Sequence, residues 1–392
     1  VTKIIILDPS CVTVSRSHHV SSVSGHVRVF QAAGLNVIAC TNTGCHINLP
    51  GAENHPVFPY TIYDDVRSRH ANNFMRLVKK PHYYLLRKRA RNSIEKILKS
   101  RNIDNIDHIF VPTVDWILFQ GLFDLYTETD LNPALHLLIM YEKAGWMTGG
   151  YPYKKIIRKV NLLKASGKNI FIYTETRKHA TSLKDEIGVA PEPVPYPAFP
   201  FTETPVRRPE NNSIVIGALG GGRRDKGYGM LPEIITRFNK TCAEQDKTVF
   251  LVQRARMEDN LEPQTATLAS IKNVVLLDNQ LSQQDYEQHF LKCDIAIFPY
   301  SRVYASRGSG IVNEAVANAI PIICSDETSL CEAITCGNGL PAGNADDFAS
   351  ALIKMIVDLD GYKSRARKAS NDFIHNLYDN PVLRNIYKQL QA

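Results

Sequence analysis

Short apolar runs alternate along the whole chain with longer stretches that repeat at helical spacing. In the first half, residues 4–7, 37–40, 108–111, 135–140 and 169–174 form runs of four to six residues dominated by apolar side chains, and each predicts a buried strand. Residues 26–33, 83–100 and 179–187 carry helical patterns between them. Strands that alternate with helices predict βα units around a parallel sheet. Prolines at 193, 195, 197, 200 and 205 then interrupt the rhythm. Proline removes a backbone donor and fixes φ, so residues 191–209 exclude regular helix and central strand. The rhythm restarts with strands at 214–219, 249–253, 274–277, 295–299 and 321–324 and helices at 230–238, 284–292 and 345–357. A long helical stretch at residues 362–390 closes the chain.

Two halves of one architecture predict an α/β fold of two Rossmann-like domains, and 392 residues suit two domains of about 100–200 residues each. The expected boundaries are 1–195 for the first domain, 196–211 for a linker and 212–375 for the second domain. A final helix at about 376–392 is expected to pack back on the first.

Composition narrows the setting. The chain is 44% hydrophobic and 22% charged, as in an ordinary globular protein. Its eight cysteines are scattered without a C-x-x-C pair, which suits a reducing cytoplasmic compartment and suggests neither a disulfide framework nor zinc. The apolar run at 4–7 is too short for a signal peptide, and no stretch approaches the roughly 20 apolar residues of a membrane span, so neither export nor membrane crossing is expected.

The net charge of +7 is unevenly spread. Residues 67–101 hold twelve Lys or Arg against one acid, Glu95, so the remainder is slightly acidic. Within this segment Tyr83, Tyr84, Leu85 and Leu86 stand beside Arg87, Lys88, Arg89 and Arg91. Such a helix suits an anionic membrane surface or a lipid-linked acceptor. It also suits a polyanionic acceptor, or a solvated helix with its apolar stripe on the core. The tyrosines are able to stack on bases, but no nucleic-acid motif accompanies them.

Two loops carry chemistry. The first, Gly217 to Gly227, leaves a strand through Gly220, Gly221 and Gly222 and then places Arg223, Arg224 and Lys226 before a helix. Glycines admit a phosphate close to the backbone, and a helix N-terminus adds free N–H groups. The bland alternative is a strand-to-helix turn with solvated bases. The second loop, Tyr300 to Ala315, passes Ser306, Gly308, Ser309, Gly310 and Ile311 into a helix with Glu314 one turn in. Its N–H groups suit a diphosphate, and Glu314 suits the hydroxyls of a ribose. By itself Glu314 reads equally as a helix-dipole carboxylate. The two loops together favour a nucleoside diphosphate.

On these residues the second half resembles the donor domain of retaining GT-B glycosyltransferases of the family-4 type. Further matches lie at Asn273 to Asp278, at Cys293-Asp294-Ile-Ala-Ile-Phe-Pro299, at Gly310-Ile-Val-Asn-Glu314-Ala315 and at Ala319-Ile-Pro321, so the likeness covers almost all of residues 212–355. The resemblance implies two Rossmann-like domains facing each other across a cleft and transfer of a sugar from a UDP- or GDP-sugar to an acceptor hydroxyl with retention. It assigns an Arg of the 223–224 pair and Lys226 to the leaving diphosphate, Glu314 to the ribose and the backbone near Asp278 to the base. The bases stand in for a metal, so none is expected, and there is no further cofactor.

The sequence departs from the family pattern at three points. Ser306 stands where a glutamate usually contacts the donor sugar, residues 139–143 lack the usual histidine, and the arginine is shifted from a position near Gly221. Candidates on the acceptor side are His18 and His19 in a Ser-rich loop, together with Asp115 and Glu142; an exposed polar loop and helix-capping carboxylates are their plain readings. The expected role is assembly of a cell-surface glycan at the cytoplasmic face of the membrane, with a glycan or lipid-linked acceptor. A nucleotide-sugar epimerase and a GT-B-like module without catalysis are the alternatives.

Overall fold

The computed structural model describes residues 1–13, 18–61, 80–99, 106–140, 153–188, 190–202, 213–255 and 260–391. Glu142, residues 67–79 and residues 203–211 lie outside them. The chain divides into two compact units, Val1–Pro197 with Leu377–Ala392, and Ala198–Asn376.

Unit 1 holds a sheet of β1 (Lys3–Asp8), β2 (Asn36–Asn42), β3 (Glu53–Phe58), β4 (His108–Val111), β5 (Ala134–Ile139), β6 (Ile170–Thr174) and β7 (Glu192–Pro193). They lie in the order β3-β2-β1-β4-β5-β6-β7, every pairing parallel. Around them run α1 (His18–Ala32), α2 (Lys80–Leu98), α3 (Trp116–Glu128), α4 (Tyr153–Ala165) and α5 (Arg177–Ile187). β7 is a two-residue edge strand ending in proline, where a missing donor costs the sheet nothing. β3 escapes the hydrophobic pattern for a related reason: it is an edge strand carrying Glu53, Asn54 and Pro56, and only Phe58 is fully buried.

Helix α1 starts eight residues before the expected position. Its inner face includes His19, Ser22 and His26, all buried, and polar side chains at core positions hide a helical period from a hydrophobicity count. His18 and His19 therefore belong to the first turn of a helix and not to the polar loop expected for them.

Helix α2 shows what its charges face. Leu86, Ala90, Ile94 and Ile97 are buried in the core together with Leu118, Leu122 and Leu125 of α3. A side chain on Gly121 would come within 2.9 Å of the Arg91 amide, so the two helices cross closely. Arg87 pairs with Asp124 and Arg91 with Glu128 across that contact. The apolar stripe is thus spent on the core. Tyr84 (68% exposed), Leu85 (44%), Lys88 and Arg89 stay outside.

Unit 2 repeats the scheme with β8 (Ile214–Ala218), β9 (Thr248–Gln253), β10 (Val274–Leu277), β11 (Ile295–Phe298), β12 (Ile322–Ser325) and β13 (Gly339–Ala342). The order is β10-β9-β8-β11-β12-β13, again all parallel. The helices are α6 (Leu231–Thr241), α7 (Glu262–Ala269), α8 (Gln283–Leu291), α9 (Gly310–Ala317), α10 (Ala345–Val357) and α11 (Leu359–Tyr378). Both faces of this sheet are covered. Ile295 and Ile297 join a core with α6 and α10, while Ala296 and Phe298 join another with α8 and α9. Burial on both faces is why these strands read as unbroken apolar runs.

The closing helical stretch is two helices. Asn380 caps α12 (Pro381–Leu390) by accepting from the amides of Val382 and Leu383, and Pro381 opens its first turn, so α11 ends beforehand. Helix α12 lies in unit 1, where Asn385 donates to the Tyr173 hydroxyl at 3.0 Å. Among the described residues no helix is long and apolar enough to cross a membrane.

Candidate functional site

In each unit the strand order reverses beside the first strand, between β1 and β4 and between β8 and β11. The crevice outside the carboxyl ends of the strands at such a reversal is where open α/β sheets bind ligands.

In unit 2 the loop after β8 turns through Gly220 (φ +103°) and Gly221 (φ +79°). A side chain on Gly220 would sit 2.5 Å from Ile311 Cδ1, so the loop lies against the start of α9. Gly227 (φ +72°) is equally constrained, since a Cβ there would be 1.8 Å from the Pro299 carbonyl at the end of β11. The Ser301 amide and hydroxyl both donate to the Asp225 carbonyl, at 3.0 and 3.1 Å, and complete the joint between the loops after β8 and β11. The two segments singled out in the sequence therefore meet at one place.

The three bases of the first loop have different situations. Arg223 is forked onto Asp225 at 3.0 Å by each of two nitrogens and also donates to the Tyr304 hydroxyl at 2.8 Å. Arg224 is exposed on a single 3-10 turn. The Lys226 ammonium folds back, donates to the Gly220 carbonyl at 2.7 Å and lies 5.5 Å from the centre of the Tyr300 ring.

Helix α9 starts after Ser309, whose side chain makes no capping bond. The amides of Gly310 and Ile311 have no acceptor among the described residues, as expected of a first helical turn left open to a ligand. Gly308 and Ser309 lead into that turn half-exposed, while Ser306 is buried. Glu314 accepts from the Tyr286 hydroxyl at 2.6 Å through Oε2, leaving Oε1 for another partner. Burial raises the pKa of Glu314, against the opposing effects of the Tyr286 bond and the Lys226 charge. Asp278 follows β10 and is exposed.

One residue was missed by the sequence reading. Gln253 ends β9 between the two neighbouring strands, and its Oε1 accepts from the amides of both Gly220 (2.9 Å) and Gly221 (2.7 Å). Its Nε2 donates to the Asn279 carbonyl at 3.2 Å. Nothing distinguishes it in the chain except its place at the end of a strand beside the glycine loop. Two of the amides proposed for a phosphate are thus occupied by the protein itself. Gly222, whose amide donates to the Arg254 carbonyl at 3.3 Å, fits only as glycine against Ala255.

In unit 1 the matching edge holds acids and imidazoles. Asp8 ends β1; it accepts from the Ser10 amide through Oδ1 and pairs with His19 Nδ1 through Oδ2, each at 2.8 Å, with Asp8 and His19 both buried. The half-exposed His18 ring lies 4.2 Å from that of His19. Asp115 caps α3 through Oδ1, which accepts from the Leu118 amide at 2.8 Å. Burial pushes its pKa up to about 7. Asp8, unremarked in the sequence, was legible only as an acid closing an apolar strand.

Residues 212–358 match the family model described as "Glycosyl transferases group 1". No curated protein matches the chain by sequence. Solved structures share the fold along the whole chain. Sucrose-phosphate synthase from Thermosynechococcus elongatus is 12% identical, with a TM-score of 0.65 and 100% of both chains covered. A glycosyltransferase from Rickettsia africae is 14% identical, with a TM-score of 0.67 over 100% of this chain and 99% of that one. Anabaena HepE in complex with UDP and glucose is 14% identical, with a TM-score of 0.61 and 100% of both chains covered. The architecture is that of the two Rossmann-like domains of a GT-B protein. With a group 1 glycosyltransferase domain in unit 2, the chain is a glycosyltransferase.

Proposed function

We propose that unit 2 binds a nucleoside diphosphate sugar, with UDP or GDP as the nucleotide, and that the enzyme transfers the sugar to an acceptor hydroxyl with retention and without a metal ion. The observation that carries this reading is the Lys226 ammonium held on the Gly220 carbonyl beside the open first turn of α9, with Glu314 in its field. An ammonium and free amides at that place meet the charge that grows on a departing diphosphate, and such preorganised stabilisation is often the largest catalytic contribution. Glu314 takes the ribose through Oε1, and the backbone at Asp278 to Leu281 meets the base. Arg224 is exposed and available to a phosphate, whereas Arg223 holds the loop through Asp225 and Tyr304. The HepE complex, which contains UDP and glucose on the same fold, supports this choice of donor.

Calorimetry tests the assignment. Lys226→Ala should weaken UDP or GDP binding far more than binding of the corresponding nucleoside; equal losses would remove Lys226 from the phosphate. Turnover should also survive a chelator, and loss of activity that magnesium or manganese restores would overturn metal independence.

Unit 1 receives the acceptor in this reading. His18 is the half-exposed imidazole at its ligand edge, backed by the buried Asp8–His19 pair, while Asp115 caps α3 through Oδ1. A glycan or lipid-linked acceptor at the cytoplasmic face of a membrane fits the exposed Tyr84, Leu85, Lys88 and Arg89 of α2, which place two apolar groups beside two exposed cations.

A further inference from the structure

The Gly220-Gly221 turn has the shape of an anion site. Two consecutive residues with positive φ aim adjacent amides at one point, the arrangement that elsewhere cradles phosphate. Here the point is occupied by a neutral oxygen, Gln253 Oε1, which accepts from both amides. The orientation of the side-chain amide follows from its neighbours: two N–H groups require the oxygen on one side, and the Asn279 carbonyl requires the NH2 on the other. A primary amide of this length satisfies all three. A glutamate would turn a carboxylate toward the Asn279 carbonyl, and alanine would leave all three groups without their partner.

The same side chain lies on a path between two parts of the candidate site. Gly220, held at its amide by Gln253, holds the Lys226 ammonium at its carbonyl. Asn279, held by Gln253 Nε2, directly follows Asp278 in the segment assigned to the base. Gln253 itself is buried at the end of a strand flanked on both sides, so it has little freedom to move away.

We infer that Gln253 is a positioning residue for the donor: it fills the glycine turn so that no phosphate enters there, and it couples the base-binding segment to the loop that carries Lys226. This rests on the donor reading above and deepens it. The diphosphate is left to Lys226 and the first turn of α9, and nucleotide binding depends on a link that a free diphosphate does not use.

Titration of UDP, GDP and inorganic pyrophosphate into wild-type, Gln253→Ala and Gln253→Glu proteins tests the inference, together with amide hydrogen exchange at Gly220 and Gly221. In Gln253→Ala, the nucleotide that binds wild-type protein should lose about tenfold in affinity, the scale of one buried hydrogen bond, while pyrophosphate binds as well or more tightly in the vacated turn. Exchange at Gly220 and Gly221 should accelerate. In Gln253→Glu, the two amides should stay protected while both ligands bind more weakly, because the new charge faces the phosphates. This variant keeps the loop's acceptor and so covers the case in which the alanine variant fails to fold. Equal losses of nucleotide and pyrophosphate in Gln253→Ala would overturn the coupling, as would unchanged nucleotide affinity. Equally fast exchange in wild type and Gln253→Ala would show that Gln253 does not hold the loop. Wild-type protein that binds neither UDP nor GDP would overturn the donor reading itself, and the exchange rates would still decide whether Gln253 holds the turn.

Discussion

The two units share one strand order and one reversal point, yet the edges beside those points have opposite chemical character. In unit 2 the edge between β8 and β11 presents Lys226, Arg224 and the open amides of Gly310 and Ile311. In unit 1 the edge between β1 and β4 buries Asp8, His19 and Asp115. The sheet decides where a ligand goes, and the loops decide its charge. An anionic diphosphate suits the first edge; the second, with two carboxyl groups, suits a neutral polyol such as a sugar.

The sharpest test of the contrast is at Lys226. Lys226→Ala should lower kcat about 100- to 1000-fold, the loss seen when one preorganised donor to a developing anion is removed, whereas His18→Ala should leave donor affinity intact. Steady-state kinetics with varied donor checks both. A donor KM that rises for His18→Ala would erase the division of labour.

Next in size, Asp8→Ala should destabilise unit 1 by about 1–3 kcal/mol, because it removes the carboxylate that accepts from the Ser10 amide and pairs with the buried His19 imidazole. Denaturant unfolding with one probe in each unit is the measurement, since two units need not unfold as one. Nucleotide binding should be unaffected in protein that remains folded; a shift confined to unit 2 would contradict the assignment.

Acid should also separate the units. Burial lowers the pKa of His136, His108 and His26 in unit 1, that of His26 to about 4. Each then contributes stability that is present above its unfolded pKa, near 6.5, and is lost as pH falls. Asp115, raised to about 7, acts oppositely: its contribution is full below its unfolded value, near 3.9, and is lost as pH rises through 7. In unit 2 the raised Glu314 acts in the same sense as Asp115. Unit 2 has His289, lowered likewise by burial, against these three in unit 1, so unit 1 should lose stability faster than unit 2 between pH 6.5 and 5. Thermal unfolding followed at several pH values checks this, and parallel losses would show that the buried histidines are not the acid-sensitive element.

The smallest effect concerns α2. Arg87→Gln with Arg91→Gln should cost about 1 kcal/mol or less, as partly exposed ion pairs do, and should leave binding to acidic vesicles nearly unchanged. Lys88→Gln with Arg89→Gln should do the reverse. Vesicle binding that ignores lipid charge and salt would leave α2 a plain solvated helix.

The hydrophobic pattern by itself determined the βα rhythm and most central strands, because a strand covered on both faces has no choice but apolar side chains. Glycines and charged residues following the strand ends brought Gly220, Lys226, Gly310 and Glu314 forward, with a plain turn and a helix-dipole carboxylate as the alternatives. The hydrophobic pattern could not see the edge strand β3, where solvent on one side permits Glu53 and Pro56. It could not place the start of α1, where His19, Ser22 and His26 occupy core positions as polar side chains, His19 paired with Asp8 at the end of β1 and His26 bonded back to the Ser22 carbonyl. Nor could it divide the cations of α2, because whether an arginine meets water or Asp124 is settled by a helix almost 40 positions away. Gln253 is the clearest case: its acceptors and donors come from residues 26 to 33 positions distant, and a glutamine has no pattern until the strands on either side bring those groups to it. Local sequence sets propensity and burial; which polar group finds which partner is decided only when the chain has closed on itself.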